Sequence, residues 1–243
     1  MINRIMQIEL NEIQRDRLSQ DFFGYIEGSI PILISAPHGA VHYRTGEHRW
    51  KAADTYTSAI AIELGRMTGA HVLYLKNKAP EDPNNDLRSE YKDFLSRVAV
   101  EKEIKFIADL HGAGADRPFK VDIGILDDRA SKSSCPTFHS DIGNAFRPLE
   151  DSPFNRHFKA SAPGTVTYFA KHSLGIEAAQ IEINARYRMI GACRGAAVGA
   201  SEKNVRDLMN CLQKMIVDIN RRIRSSKSPS HASSEHCGKK ILT

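Results

Sequence analysis

Two short segments constrain this chain more than anything else in it, because each reads as a buried strand that runs straight into His-Gly. From Ile30, with Pro31 as an opening break, Ile32-Leu33-Ile34-Ser35-Ala36 is apolar and β-favouring enough to be covered on both faces. Pro37 stops its ladder, and His38-Gly39 follow at once. Ile104 to Leu110 repeats the pattern and ends on His111-Gly112. Core packing does not require an imidazole twice at the same place. Open α/β folds, by contrast, keep their sites at the carboxyl edge of the sheet.

The remaining periodicity supplies the partners of those strands. Residues 1–29 read as either a strand or a short helix leading into a turn at Gly24–Gly28. Asp54 stands at a helix start, with Ala59, Ile60, Ile62, Leu64 and Met67 at helical spacing and Gly69 as the stop. His71–Leu75 reads as a strand, and Asn77–Asp86, rich in Pro and Asn, as a loop. A helix over 87–102, a strand over 121–126, a helix within 131–146 and an irregular stretch over 151–163 follow. Val166–His172 fits either helix or strand, and Ala178–Ile183 is a strand carrying Glu182. Glu202–Ile223 is an amphipathic helix with Val205, Leu208, Leu212, Met215 and Ile219 on its apolar stripe. Strands alternating with helices predict a three-layer α/β/α domain around a mixed, largely parallel sheet, spanning residues 1–224.

Charge and cysteines narrow the function. Six of the 34 basic residues and one of the 29 acidic residues lie between Arg221 and Thr243, which leaves residues 1–220 with 28 of each. The body of the chain therefore has no bias towards nucleic acid, and the excess sits on residues 225–243, a Ser-, Lys- and Pro-containing stretch that reads as a disordered tail. No run of about 18 apolar residues is present to span a membrane, and Met1-Ile2-Asn3-Arg4 lacks the layout of a secretory signal. Cys135, Cys193, Cys211 and Cys237 are scattered without close spacing, which fits free thiols in a reducing, cytoplasmic setting.

His38 and His111 end two strands, and Asp54 opens the helix after the first. Two imidazoles and a carboxylate are a ligand set of catalytic zinc, which keeps a fourth position open. Asp109 alternates to the same strand face as His111 and is placed to orient it. Glu182, flanked by Ile181 and Ile183, is an unusual residue for a buried strand and a candidate general base. Alternatives stay open at each position. Asp54 also suits an N-cap, with His42 and Glu47 as competing ligands, and Glu182 also suits a structural pair with Arg186 or Arg188. His48, His71, His139, His157 and His172 read as surface or packing residues. Gly112-Ala113-Gly114 lacks the third glycine and the downstream acid of a dinucleotide loop.

Ala36-Pro37-His38-Gly39, Asp54-Thr55-Tyr56-Thr57, Asp82-Pro83-Asn84-Asn85-Asp86, Asp109-Leu110-His111-Gly112 and Gln180-Ile181-Glu182-Ile183-Asn184 occur in that order. In this, the stretch from about Ile32 to Arg188 resembles the N-formylglutamate amidohydrolase family, relatives of the zinc carboxypeptidases and aspartoacylases. The resemblance implies a phosphorylase/hydrolase-like α/β fold and one zinc per chain held by His38, Asp54 and His111. It also implies Glu182 as the catalytic carboxylate. Substrate binding would fall to Asn84 and Asn85, with Arg88 just beyond, and to Arg186 or Arg188. The chain departs from the family pattern where Gly39 and Gly112 replace serines and where Asn84-Asn85 replaces an asparagine-arginine pair, all at substrate-facing places.

The reading is then a zinc-dependent amidohydrolase acting on a small N-acyl amino acid or related carboxylate. A zinc carboxypeptidase-like peptidase and a catalytically inactive binding protein on the same fold are the alternatives. The expected partner is a small carboxylate-bearing molecule, with neither nucleic acid nor membrane. The sequence carries no signal for oligomeric state.

Overall fold

Seven α-helices, one short 3-10 turn (Thr45–Glu47) and ten strands are described in the computed structural model of the chain, which covers residues 1–126, 138–191 and 199–226. In order they are α1 (Ile2–Asn11), β1 (Gln14–Leu18), β2 (Phe23–Ile26), β3 (Ile30–Ala36), β4 (His42–Arg44), β5 (Arg49–Lys51), α2 (Thr57–Thr68), β6 (Ala70–Leu75) and β7 (Asn77–Lys78). Then come α3 (Glu90–Glu101), β8 (Phe106–Ala113), β9 (Val121–Gly124), α4 (His139–Phe146), α5 (Val166–Leu174), β10 (Glu177–Asn184), α6 (Ala185–Arg188) and α7 (Glu202–Ser226).

Six strands form the central sheet in the order β2-β6-β3-β8-β10-β9. The inner four, β6, β3, β8 and β10, run parallel, and the edges β2 and β9 run antiparallel to their neighbours. Alternation along the strands separates two cores. Ile32, Ile34, Val72, Ala108 and Ile181 meet α1, α2, α4 and α7 on one face, while Leu33, Leu73, Ile107 and Ala178 meet Tyr91 and Leu95 of α3 and Val166 of α5 on the other. The architecture is thus three-layered α/β/α with a mixed, mostly parallel sheet, as the patterning predicts. The chain leaves β3 for β6 on one side and later reaches β8 on the other side of β3. This makes the crevice beyond the carboxyl ends of β3 and β8 the topological switch point.

Several local expectations shift. The N-terminal segment is a helix followed by two strands, and Asn77-Lys78, expected in a loop, pairs in parallel with β1. Val166–Leu174 is helical, with the Thr165 hydroxyl accepting from the Tyr168 N–H as its cap. Asp54 does not cap α2. The N-cap is Tyr56, in the left-handed region at φ 74°, which frees the Asp54 carboxylate to face elsewhere. Helix α4 begins at His139; the expected helical residues 131–137 lie outside the described residues, as do 227–243 of the expected tail and Cys135, Cys193 and Cys237. Cys211 is a buried free thiol. No helix among the described residues is long and apolar enough to cross a membrane.

Candidate metal centre and active site

Three adjacent parallel strands bring the site together at one edge. His38 follows β3 through Pro37, His111 lies near the end of β8, and Glu182 lies near the end of β10 directly opposite His111 in the strand register. Asp54 reaches the same edge from the segment before α2, where its N–H donates to the His38 carbonyl (2.7 Å). Its Oδ2 accepts from the Gly112 N–H at 2.9 Å. That oxygen lies 3.6 Å from Nδ1 of His38 and 3.6 Å from Nδ1 of His111.

The opposite nitrogens of both rings are held by fully buried carboxylates. His38 Nε2 meets Asp82 Oδ1 at 2.7 Å, and His111 Nε2 meets Asp109 Oδ2 at 3.0 Å. A carboxylate at Nε2 requires Nε2–H in the neutral ring, so each Nδ1 presents a lone pair towards Asp54 Oδ2. Three possible ligand atoms thus lie within 4.8 Å of one another around Asp54 Oδ2, where either protons on the two Nδ1 atoms or a bound cation balances the carboxylate. Tetrahedral ligand atoms about 2.0–2.1 Å from zinc stand roughly 3.3 Å apart. The observed separations of 3.6 Å suit that geometry.

Electrostatics show that protons compete for the same nitrogens. Burial pushes the His38 imidazole down, but the carboxylates of Asp54 and Asp82 outweigh it and the net shift is upward. His111 is likewise raised well above the ordinary range, burial being overcome by Asp109 and Asp54. Asp54 and Asp82 are held far below the usual carboxylate range: the two imidazoles at Asp54, and His38, His42 and Arg44 at Asp82, overcome the upward push of burial. Glu182 behaves oppositely. Burial is its largest influence and raises it, although Gln180 Nε2 donates to its Oε1 at 2.7 Å. A carboxylate poised upward beside a candidate cation-binding group is placed to accept a proton.

His42, named from the sequence as a competing ligand, and Asp82, which sequence reasoning does not single out, together support His38 from behind. Asp82, quoted there only within a loop motif, is the buried hub. It accepts from His38 and from Arg44 Nε (2.7 Å), and His42 Nε2 lies 3.5 Å from its other oxygen. The His42 ring stacks on His38 at 4.0 Å, and burial together with the neighbouring His38 holds its pKa down at about 4. His38, His42 and Asp82 are close enough for a second cation, yet the Arg44 guanidinium already occupies the carboxylate, so this group reads as support for His38. The alternating positions His42 and Arg44 on β4 are the signal that points to it. Glu47, the other competing ligand, is exposed and paired with Arg44 and Arg49, which hold its carboxyl down at about 2.

Of the residues expected at the substrate, Arg188 comes nearest. It is buried, donates from Nη1 to the Thr55 carbonyl (3.0 Å) and packs over Gly112 so closely that a Cβ there would stand 2.5 Å from its Nε. Gly39 has a similar cause, since a Cβ there would lie 1.7 Å from the Ser58 Oγ. Both departures from the family pattern are therefore close approaches. Asn84 Oδ1 accepts from the Val166 N–H at 2.7 Å and so ties the Asp82 loop to α5, while Asn85 is exposed. Arg88 and Arg186 are exposed and line shallow hollows that include none of His38, Asp54, His111 or Glu182.

A three-layer α/β fold with a histidine–carboxylate set at the switch point defines the class of this protein. Solved structures with this fold include N-formylglutamate amidohydrolase from Ralstonia eutropha JMP134 (TM-score 0.57, 15% identity, covering 84% of this chain and 99% of that one). A bacteriophage poly-gamma-glutamate hydrolase is also similar (TM-score 0.51, 11% identity, 84% and 92% covered). At these identities the likeness is one of fold. No protein-family model and no curated protein sequence matches the chain.

Proposed function

We propose that this protein is a zinc-dependent amidohydrolase that cleaves the amide of a small N-acyl amino acid or a related carboxylate. The observation that carries the proposal is the convergence of His38 Nδ1, His111 Nδ1 and Asp54 Oδ2 as lone-pair donors, each imidazole locked by a buried carboxylate behind it. The likeness of fold to an amidohydrolase and to a poly-gamma-glutamate hydrolase supports the reaction class.

In this reading His38, Asp54 and His111 hold one zinc per chain. A zinc ion held there would supply Lewis acidity for hydrolysis. Glu182 takes the proton as water attacks the amide carbon and returns it to the leaving nitrogen; its raised affinity for a proton suits both steps. Arg188 brings fixed positive charge to the edge beside His111, where it stabilises a substrate carboxylate or the developing oxyanion. Asp82 and Asp109 keep each ring in the tautomer that ligation needs. The Asp82–Asp86 loop, with Asn84 and Asn85, borders the same edge because Asp82 holds His38.

Elemental analysis of purified protein, followed by a screen of N-formyl, N-acetyl and peptide-like acids, tests the reading. About one zinc per chain, lost in His38→Ala and His111→Ala, together with turnover of an N-acyl acid, is the expected result. Unchanged metal content in both variants would end the ligand assignment.

A further inference from the structure

The N-terminal helix lies outside the stretch that resembles a known family, yet it sends one charged side chain into the core. Glu9 of α1 is 3% exposed. Its Oε1 accepts from the backbone N–H of Tyr56 at 3.2 Å and pairs with Arg15, while its Oε2 has no hydrogen-bond partner among the described residues. Burying a carboxylate whose second oxygen stays unpaired costs stability, and an apolar residue of similar volume would serve the core as well or better.

What Glu9 holds is the turn that presents Asp54. Tyr56 is a non-glycine residue at φ 74°, a strained conformation that persists only where the surroundings impose it. The segment is clamped on several sides. Glu9 takes the Tyr56 N–H, Arg188 donates to the Thr55 carbonyl, and the Tyr56 hydroxyl donates to the Ile190 carbonyl at 2.6 Å. The Thr57 N–H and hydroxyl both bind the Asp54 carbonyl, at 3.0 and 2.7 Å. With Tyr56 turned this way, the Asp54 carboxylate points at His38 and His111 instead of capping α2.

We infer that Glu9 is a positioning residue for the metal centre: its hydrogen bond to Tyr56 holds the strained turn that aims Asp54 at the cation. The inference rests on the proposed metal reading and adds to it a residue from an element which that reading does not use. Two substitutions separate positioning from packing. Glu9→Met keeps volume, removes the acceptor and leaves Arg15, which is partly exposed, free to turn to water. Glu9→Gln removes the charge but keeps an oxygen for the Tyr56 N–H.

Zinc affinity would be measured by competition with a chromophoric chelator on full-length wild type and both variants, with thermal unfolding of the metal-free proteins alongside. The expected result is a loss of roughly 10–100-fold in zinc affinity for Glu9→Met, the range of supporting residues around metals, with metal-free stability equal or higher. Glu9→Gln should recover affinity close to wild type. Wild-type affinity in Glu9→Met overturns the inference and leaves the metal reading standing, and so does failure of that variant to fold, which would make Glu9 a folding residue. Absence of zinc binding in wild type overturns both.

Discussion

Glu182 and His111 stand directly opposite each other on the parallel strands β10 and β8, and two residues earlier Gln180 stands opposite Asp109 in the same register. The period of two puts all four on one face of the sheet. The outer row carries the two candidate functional groups, and the inner row orients them: Asp109 binds His111, and Gln180 donates to Glu182. A one-residue slip between β8 and β10 would send one pair into the opposite core.

Glu182→Gln is nearly isosteric and removes only the proton acceptor. Zinc content and fold should survive while turnover of an N-acyl substrate falls by about 10²-fold or more. Near-normal turnover would exclude Glu182 as the base, and loss of zinc would make it a ligand.

Asp82→Asn and Asp109→Asn probe the carboxylates behind the rings. Each should weaken zinc binding by roughly 10–100-fold without abolishing it, whereas His38→Ala and His111→Ala should abolish it. Chelator titration distinguishes the two levels. Equal effects from all four would contradict the division into ligands and supports.

Gly112→Ala tests the close approach of Arg188. The added methyl would stand 2.5 Å from the guanidinium, which cannot move aside without leaving the Thr55 and Ala113 carbonyls. A destabilisation of about 1–3 kcal/mol in chemical unfolding is expected. An Arg188→Ala background should relieve it in a double-mutant cycle; additive effects would show that the two residues do not compete for space.

Lys92 carries a pH dependence away from the metal ligands. Its ammonium is buried beneath the site, donating to the Gly164 and Asp86 carbonyls, and burial holds its pKa down at about 8 against 10.5 when exposed. Between those values the unfolded chain binds a proton that the native state does not, so this residue makes stability rise with pH across about 8 to 10.5. Urea unfolding at pH 7.5 and pH 10 should show wild type gaining relative to Lys92→Met. A constant difference between the two would mean that Lys92 does not titrate in that window.

Much of the fold was legible in the sequence because it depends on local patterning. The apolar run at Ile32–Ile34, the one at Phe106–Leu110 and the stripe along Glu202–Ile223 each specify an element through their own period, and the two His-Gly endings mark one edge of the sheet. Asp109 follows from alternation with His111 alone. Asp82, by contrast, lies 44 residues from His38 in a loop whose composition announces only a turn, and its hydrogen bond exists because β4 and that loop close over the edge of β3. Asp54 taken alone reads more readily as a cap than as a ligand, and the left-handed Tyr56 at the N-cap removes the cap reading. The choice between Arg186 and Arg188 is likewise a matter of which way a four-residue helix turns. Periodicity determines which residues are buried and on which face. Which buried polar groups meet depends on long-range closure, where one hydrogen bond or one positive φ decides between roles that the sequence leaves open.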